Sequence, residues 1–295
     1  SRVYPVDELR EGEGGSWDVA IVKSDTLNKK SLYTKFVFVL GEENQVISSN
    51  AMSLVDIQLY LTRGNQFQIR AYSTGSPNYD SMNDIGDEIF NKNCYPFLDF
   101  VPDVQVIVDV GANIGLASVY FRAHYPEATI HSFECDPLTV YLLKQNAVSI
   151  GNCQVHPVRL YSEDIEHSIQ LNLQNAISSS TDVCHSFYQP RQFRKASSYL
   201  KDINVERVDI LKVDDAGSEL KILTDLSRNA PGQLSSIKVI YVKFYAEEDG
   251  RLIDQLLSLT HVLWQGDVLN AHRGNLCYLH RSYVPQVLGA EPLGR

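Results

Sequence analysis

The stretch Val106–Pro137, VIVDVGANIGLASVYFRAHYPEATIHSFECDP, decides the fold of this chain. Its beginning, Val106–Val110, is a short apolar run, which is typical of a buried parallel strand. A glycine turn follows, and Leu116–Tyr125 then carries apolar residues at helical spacing up to a proline. A second apolar run, Ala128–Phe133, ends at Glu134. A strand, a glycine turn, a helix and a second strand that ends in an acid predict a site for a nucleotide-type ligand.

The spacing of the glycines indicates which ligand this is. A dinucleotide site requires G-x-G-x-x-G, but counting from Gly111 places Asn113 and Leu116 at the second and third glycine positions. A pyrophosphate ligand is therefore disfavoured. The pattern D-x-G-x-N-x-G, with Glu134 after the next strand, resembles that of S-adenosylmethionine-dependent methyltransferases, whose cofactor has no pyrophosphate and needs carboxylates for its ribose and ammonium group. The alternative is a glycine turn that binds no cofactor.

The composition bounds the class of protein. With 295 residues, 44% of them hydrophobic, the chain can bury a full core. No window reaches the roughly 18 apolar residues that cross a bilayer, so we expect no membrane span. The five cysteines are scattered without a C-x-x-C pair, which predicts reduced thiols and a cytoplasmic location. A net charge of −10 without a basic run argues against nucleic acid as a partner.

Strands and helices continue to alternate after the first stretch. The predicted helices are Pro137–Ile150, Ser218–Ala230 and Arg251–Thr260, and the predicted strands between them are Gln154–Leu160, Val208–Val213 and Ile237–Phe244. This alternation predicts an α/β fold with a doubly wound parallel sheet. The last two predicted strands, His261–Trp264 and Asn275–His280, have no helix between them. They predict an antiparallel hairpin at the edge of the sheet.

From about Ile85 to Tyr283 the sequence resembles the FkbM family of S-adenosylmethionine-dependent O-methyltransferases. The motifs that carry the resemblance are DVGANIG at Asp109–Gly115, SFECDP at Ser132–Pro137, the loop Ser178–Ser180, and DILKVDDAGSELKIL at Asp209–Leu223. The resemblance implies a Rossmann-like seven-stranded methyltransferase sheet. It also implies S-adenosylmethionine as the cofactor and methyl transfer to a hydroxyl group.

The chain carries a β-rich segment before the family motifs. Trp17–Lys23, Leu32–Leu40 and Gln66–Tyr72 are rich in β-branched and aromatic residues, which predicts a small β-rich N-terminal extension over residues 1–80. The methyltransferase domain would then span 81–285, with a C-terminal tail at 286–295. We expect the extension to contact a neighbouring domain, a second copy of the chain or the acceptor, because an isolated hairpin is only marginally stable.

The resemblance assigns the cofactor site residue by residue. The residues placed around the methionine half of the cofactor are Asp109, Gly111, Asn113 and Gly115. Glu134 is placed on the ribose. Asp136 either contacts the adenosine moiety or only caps the following helix. Ser162 and Glu163, just after the predicted third strand, lie where the adenine is expected.

Methyl transfer to an alcohol needs a group that accepts the hydroxyl proton. Asp214 ends a predicted central strand and so points into the crevice where ligands of such sheets bind. Lys243 ends the neighbouring strand, and the two form either a catalytic pair or a structural ion pair. His185 is a second candidate base, or else an exposed loop histidine. We expect Ser179, Ser180, Tyr188 and Tyr245 to contact the acceptor, and no cluster of side chains predicts a metal site.

Two positions depart from the family pattern. Ala216 stands where the family has a glutamate, and Lys243-Phe244-Tyr245 replaces an E-[YFL]-H-like ending of the fifth strand. The sequence therefore predicts an O-methyltransferase acting on a hydroxyl of a small molecule or glycan. The competing hypothesis is a catalytically silent methyltransferase-like scaffold or binding domain of a larger biosynthetic protein.

Overall fold

The chain forms two compact units, Ser1–Lys92 and Asn93–Arg295. The structure is a computed structural model that describes residues 19–21, 37–40, 53–60, 66–73, 85–171, 187–270 and 272–284. The finer division expected from the sequence, with boundaries after residues 80 and 285, stays a prediction. In the described part of the chain, no helix combines the length and the apolar character that crossing a membrane requires.

The first unit contains an antiparallel sheet of four strands in the order of the chain. The strands are β1 (Val19–Ile21), β2 (Val37–Leu40), β3 (Ser53–Tyr60) and β4 (Gln66–Ser73). Alternate residues of β4, namely Phe67, Ile69 and Ala71, are buried, so one face of this strand packs on a core. The sequence analysis predicted β4 but missed β3. A π-helical turn at Asp87–Asn91 follows in the same unit.

The second unit alternates strands and helices as the sequence predicts. Its strands are β5 (Val106–Val110), β6 (Thr129–Phe133), β7 (Cys153–His156), β8 (Arg159–Tyr161), β9 (Ile165–Leu171), β10 (Phe187–Lys195), β11 (Ile210–Val213), β12 (Val239–Phe244), β13 (His261–Asn270) and β14 (Arg273–His280). Its helices are α1 (Leu116–His124), α2 (Pro137–Ile150), α3 (Ala196–Asp202), α4 (Glu219–Asn229), α5 (Pro231–Ser236) and α6 (Glu247–Leu257). A 3₁₀ turn at Arg281–Tyr283 ends the described chain.

Seven strands of the second unit form one sheet in the order β13-β14-β12-β11-β5-β6-β7. The five strands from β12 to β7 in this order pair in parallel, and β14 pairs antiparallel with both β12 and β13. This arrangement confirms the predicted Rossmann-like seven-stranded sheet and its antiparallel edge hairpin. The chain order reverses between β5 and β11, and ligands of such sheets bind at the carboxyl ends of the strands beside this switch point.

The predicted third strand, Gln154–Leu160, is wrong as a single element. In the structure β7 ends at His156, and β8 belongs to a separate sheet of order β8-β10-β9. Pro157 lies between them and has no amide N–H to donate to a strand ladder, so the pairing with β6 stops there. The proline after α4 begins a further helix, α5, which the sequence analysis did not predict.

A buried arginine ties together the two helices that follow β5 and β6. The guanidinium of Arg122 donates to the carbonyl oxygen of Tyr125 at the end of α1, and to those of Ile150, Gly151 and Asn152 at the end of α2. These carbonyls are the acceptors that a helix end leaves without intrahelical partners. The side chain therefore holds the carboxyl ends of α1 and α2 at a fixed distance, which sets the position of both helices behind the glycine turn.

Candidate active site

The glycine loop that connects β5 to α1 has three left-handed residues. Gly111, Asn113 and Gly115 have φ values of 71°, 51° and 101°. The amide N–H groups of Gly111 and Ala112 donate to the carbonyl oxygen of Phe133 at 3.0 and 2.9 Å. The loop is thereby fastened to the end of β6. These two amides serve the fold, so they are not among those that the helix start would offer to a ligand.

Gly111 is a glycine for a reason that the sequence analysis did not foresee. The resemblance places it only around the methionine half of the cofactor. In the structure a Cβ at this position would overlap the carbonyl oxygen of Asp214, which follows β11. The close approach that Gly111 permits is thus between two loops of the protein, one on each side of the switch point.

Asp109 lies beneath the glycine loop and is fully buried. Its carboxylate pairs with the Lys212 ammonium at 2.9 Å and accepts a hydrogen bond from the Ser118 hydroxyl at 2.6 Å. The resemblance places Asp109 on the methionine half of the cofactor. The structure places it behind the loop, among protein atoms.

Glu134 follows β6 and faces the glycine loop. Its Oε1 accepts the amide N–H groups of Cys135 and Asp136 at 2.8 and 2.9 Å, and its Oε2 accepts that of Asn113 at 3.1 Å. Burial raises the pKa of Glu134, while the hydrogen bonds from the amides of Asp136 and Cys135 oppose the rise. The carboxylate is therefore held in place next to the loop, as a group that binds a ribose diol must be.

Asp136 caps the helix α2. Its Oδ1 accepts the amide N–H groups of Leu138 and Thr139, each at 3.1 Å. This is the geometry of an N-cap, one of the two roles that the sequence left open. Contact with the adenosine moiety stays a prediction.

The other residues assigned from the sequence lie farther along the chain. Ser162 and Glu163 follow β8, which belongs to the smaller sheet, and Glu163 is exposed. Tyr188 lies in β10, and its side chain is outside the described part of the structure. Ser179, Ser180 and His185 lie outside the described residues altogether, so their roles stay predictions.

Asp214 is the centre of a polar cluster at the carboxyl end of β11. The Tyr245 hydroxyl donates to Oδ1 at 2.7 Å and the Tyr95 hydroxyl donates to Oδ2 at 3.3 Å. The Lys243 ammonium lies 3.8 Å from Oδ2. Burial, and secondly the charge of Asp214, raise the pKa of both phenols well above the ordinary value, so both are protonated donors at neutral pH. The cluster thus joins Asp214, Lys243 and Tyr245, which the sequence predicted, with Tyr95, which it missed.

The loop after Asp214 is held by a buried acid of helix α4. Glu219 is only 2% exposed, and its carboxylate accepts the amide N–H groups of Asp215 at 3.0 Å and Gly217 at 2.9 Å. Arg159 pairs with Asp215 at 2.8 Å and donates to the carbonyl oxygen of Ala216. Ala216, where the family pattern has a glutamate, is exposed. The backbone of this loop is therefore fixed from both sides.

The acid that holds this loop should make stability depend on pH. Burial raises the pKa of Glu219 from 4.5 to about 7, and the nearby charge of Asp214 adds to the rise. Between these two values the folded chain keeps a proton that the unfolded chain has lost, so stability falls as pH rises through this window, by up to about 3 kcal/mol. We expect Glu219→Gln to remove this contribution in melting curves recorded from about pH 5 to about pH 8. Glu163→Gln, on an exposed acid, is the control, and an unchanged pH slope in Glu219→Gln would contradict the assignment.

Acidic groups converge around the two loops at the switch point. The pKa of Glu134 is raised in part by the charge of Asp215, and that of Glu219 by the charges of Asp214 and Asp215. Such a site suits a ligand with positive charges, and S-adenosylmethionine carries both a sulfonium and an ammonium group. A Rossmann-like sheet with an acidic site and no pyrophosphate fingerprint is the arrangement expected of the methyltransferase class of transferases.

Comparison with known proteins gives the family. The model of the methyltransferase FkbM domain matches residues 109–264, and the chain belongs to this family of methyltransferases. Methyltransferase 1 of Beauveria bassiana (strain ARSEF 2860) is 30% identical over 165 residues, which cover 48% of this chain and 66% of that protein. The chain thus spans just under two thirds of the length of this relative. Family membership confirms the predicted cofactor, S-adenosylmethionine.

Two further similarities are more limited. The 31-O-demethyl-FK506 methyltransferase FkbM of Streptomyces tacrolimicus is 38% identical over 63 residues, which cover 21% of this chain and 24% of that protein. The crystal structure of a putative rRNA-methylase from Clostridium thermocellum superposes with a TM-score of 0.40 at 11% identity, over 68% of this chain and 96% of that one.

Proposed function

We propose that this chain is an S-adenosylmethionine-dependent O-methyltransferase whose acceptor is a hydroxyl of a small molecule or glycan. The observation that carries the proposal is the Asp214 cluster, which lies at the carboxyl end of β11 and directly against the glycine loop at Gly111. A carboxylate in this position can take a proton from a hydroxyl that attacks a methyl group held at the loop. The name of the Streptomyces tacrolimicus relative, a 31-O-demethyl-FK506 methyltransferase, supports oxygen as the acceptor atom.

The cofactor would be held mainly by backbone and carboxylate groups. Glu134 would accept the ribose hydroxyls, and the acidic residues of the two loops would balance the positive charges of the ligand. When bound, S-adenosylmethionine supplies a methyl group that a nucleophile can attack in line with the leaving sulfur. The acceptor would approach from the side of Asp214.

The two oxygens of Asp214 are held differently. Oδ1 has a short hydrogen bond from the Tyr245 hydroxyl at 2.7 Å, whereas the contacts of Oδ2 with Tyr95 and Lys243 are longer, at 3.3 and 3.8 Å. An incoming hydroxyl therefore competes more easily for Oδ2. Tyr245 is 37% exposed, so its ring borders the space that the acceptor would enter. The Lys243 ammonium, 3.8 Å from Oδ2, places a positive charge beside the carboxylate.

A silent scaffold is the second candidate. Both oxygens of Asp214 already have protein donors, and Ala216 has no carboxylate to offer. In this case the protein would bind the cofactor without transferring its methyl group.

Two measurements on the full chain separate these functions. Calorimetric titration with S-adenosylhomocysteine tests for the cofactor site. Incubation with methyl-labelled S-adenosylmethionine and a panel of polyols, sugars and phenolic or macrolide alcohols then tests for transfer. Binding together with label in an ether product supports the proposal. Binding without transfer across the panel favours the scaffold, and absence of binding contradicts both.

Loss of the Glu134 carboxylate should weaken cofactor binding. We expect Glu134→Ala to cost about 1–3 kcal/mol, or roughly 5- to 150-fold in Kd for S-adenosylhomocysteine, because charge-assisted bonds to the ribose hydroxyls are lost. Calorimetry measures the change, and a melting curve shows that the variant folds. Glu127→Ala, an exposed acid that precedes β6 and so lies at the other end of that strand from Glu134, is the matched control. Equal affinity of a folded Glu134→Ala protein and the wild type would remove Glu134 from the cofactor site.

A further inference from the structure

The Lys212 ammonium is enclosed by one carboxylate and two backbone carbonyl groups. Lys212 is 3% exposed, and its Nζ lies 2.9 Å from Asp109 Oδ1, 3.1 Å from the Val110 carbonyl oxygen and 2.7 Å from the Gly111 carbonyl oxygen. An ammonium group has three donors, of which two make hydrogen bonds to these carbonyl oxygens, while the contact with Asp109 is an ion pair. Lys212 therefore cannot donate to a ligand without breaking one of these contacts.

The partner of this lysine is equally enclosed. The Oδ2 of Asp109 accepts the Ser118 hydroxyl at 2.6 Å, and Ser118 lies 2.9 Å from the Ser132 hydroxyl. A buried ion pair pays a large desolvation cost, and apolar residues of similar volume often stabilise a fold as well or better. Stability alone is therefore a weak explanation for the pair.

The position of the pair indicates a different role. The peptide that joins Gly111 to Ala112 is held at both ends, since its carbonyl oxygen accepts from Lys212 at 2.7 Å and its N–H donates to the Phe133 carbonyl oxygen at 2.9 Å. Gly111 has a φ of 71°, a conformation that glycine leaves easily because other regions are equally open to it. Lys212 in β11 and Phe133 in β6 together fix the plane of this peptide.

The charge of the pair also bears on the cofactor. A lone ammonium under the glycine loop would repel the sulfonium and ammonium groups of S-adenosylmethionine, and it would do so strongly because the site is shielded from water. Asp109 cancels this charge at 2.9 Å. The carboxylate therefore favours a cationic cofactor without contacting it.

We propose that Lys212 is a positioning residue that fixes the glycine loop for the cofactor. Asp109 acts on the cofactor only by neutralising the charge of Lys212. Both parts rest on the proposed function. Two variants separate the two parts. Asp109→Asn with Lys212→Met removes both charges together, and Asp109→Asn alone leaves the ammonium without its ion-pair partner.

The test compares calorimetric Kd values for S-adenosylmethionine and S-adenosylhomocysteine, which differ by the charge on sulfur. For the double variant we expect both Kd values to rise about tenfold or more and by similar factors. For Asp109→Asn alone we expect the Kd of S-adenosylmethionine to rise about tenfold more than that of S-adenosylhomocysteine. A folded double variant with wild-type affinities would overturn the positioning role. Equal losses for both ligands in Asp109→Asn would overturn the neutralising role.

Two additions keep the test decisive. Asp109→Asn with Lys212→Gln keeps an amide donor toward the Gly111 carbonyl, and it should recover part of the affinity lost in the double variant with Lys212→Met. Hydrogen exchange on the cofactor-free wild type needs no variant: the Ala112 amide should be protected, and rapid exchange would contradict a fixed loop. If the wild type binds no S-adenosylhomocysteine the proposed function fails, whereas differences between variants and wild type concern only this inference.

Discussion

Gly111→Ala should destabilise the chain by about 2–5 kcal/mol and abolish binding of S-adenosylhomocysteine. The new Cβ would overlap the carbonyl oxygen of Asp214, and forcing an extra group into packed structure typically costs about 1–3 kcal/mol. The left-handed φ of 71° adds about 1–2 kcal/mol for a residue with a Cβ. The two loops at the switch point would move apart, and the cofactor and the base would lose their common geometry. Denaturant unfolding and calorimetry measure the two effects.

A variant at a second glycine separates the steric cost of the new Cβ from the cost of the left-handed backbone. Gly217 has a φ of 86°, but a Cβ there would have no atom within 4 Å. Gly217→Ala should therefore show only the backbone cost, about 1–2 kcal/mol. Gly232→Ala, with open space and no left-handed backbone, should be neutral or slightly stabilising, because Gly232 lies in helix α5 and alanine favours a helix over glycine. If Gly111→Ala loses no more stability than Gly217→Ala, the two loops do not pack as described.

Asp214→Asn should lower kcat for methyl transfer by about 10²- to 10⁴-fold, the range that a general base contributes. The amide oxygen can still accept from Tyr245, so the cluster should remain folded. Because the amide takes no proton, only the chemical step is lost. The Kd for S-adenosylhomocysteine should stay within about threefold, or ~0.7 kcal/mol.

Tyr245→Phe provides the comparison for Asp214→Asn. It removes the 2.7 Å hydrogen bond to Oδ1 but leaves the carboxylate, so kcat should fall by less than in Asp214→Asn. Methyl transfer at the wild-type rate in Asp214→Asn would assign the base elsewhere. His185→Ala would then be the next variant, since His185 is the other candidate base in the sequence.

The sequence predicts best where local signals agree with the tertiary fold. β5 has the predicted bounds Val106–Val110, and α2 has the predicted bounds Pro137–Ile150 because Asp136 caps its start and Gly151 follows its end. The prediction of the third strand as a single element failed because its apolar pattern runs through Pro157 without a gap. A pattern of side chains does not report that a proline has interrupted the ladder of backbone hydrogen bonds.

Some residues of the candidate site could likewise be predicted from the sequence, and others could not. Glu134 and Asp214 could be predicted because the carboxyl ends of parallel strands lie at one edge of the sheet. Tyr95 could not, since it precedes the sheet and belongs to no motif. The enclosure of Asp109 by Lys212 and Ser118 was also out of reach, because an acid after a strand fits a ligand contact and a buried ion pair equally well. Such distinctions depend on contacts between residues far apart in the chain.

The stretch that matches the family, residues 109–264, is shorter than the compact unit Asn93–Arg295 that contains it. The match ends at residue 264, inside β13, while β14 inserts between β13 and β12 and begins only at Arg273. A protein cut at the end of the match would leave the backbone of β12 without its outer neighbour, as a template for aggregation. A protein begun at the start of the match would lack Tyr95 and one donor to Asp214. Work that transfers this unit to another protein should therefore keep the whole of Asn93–Arg295.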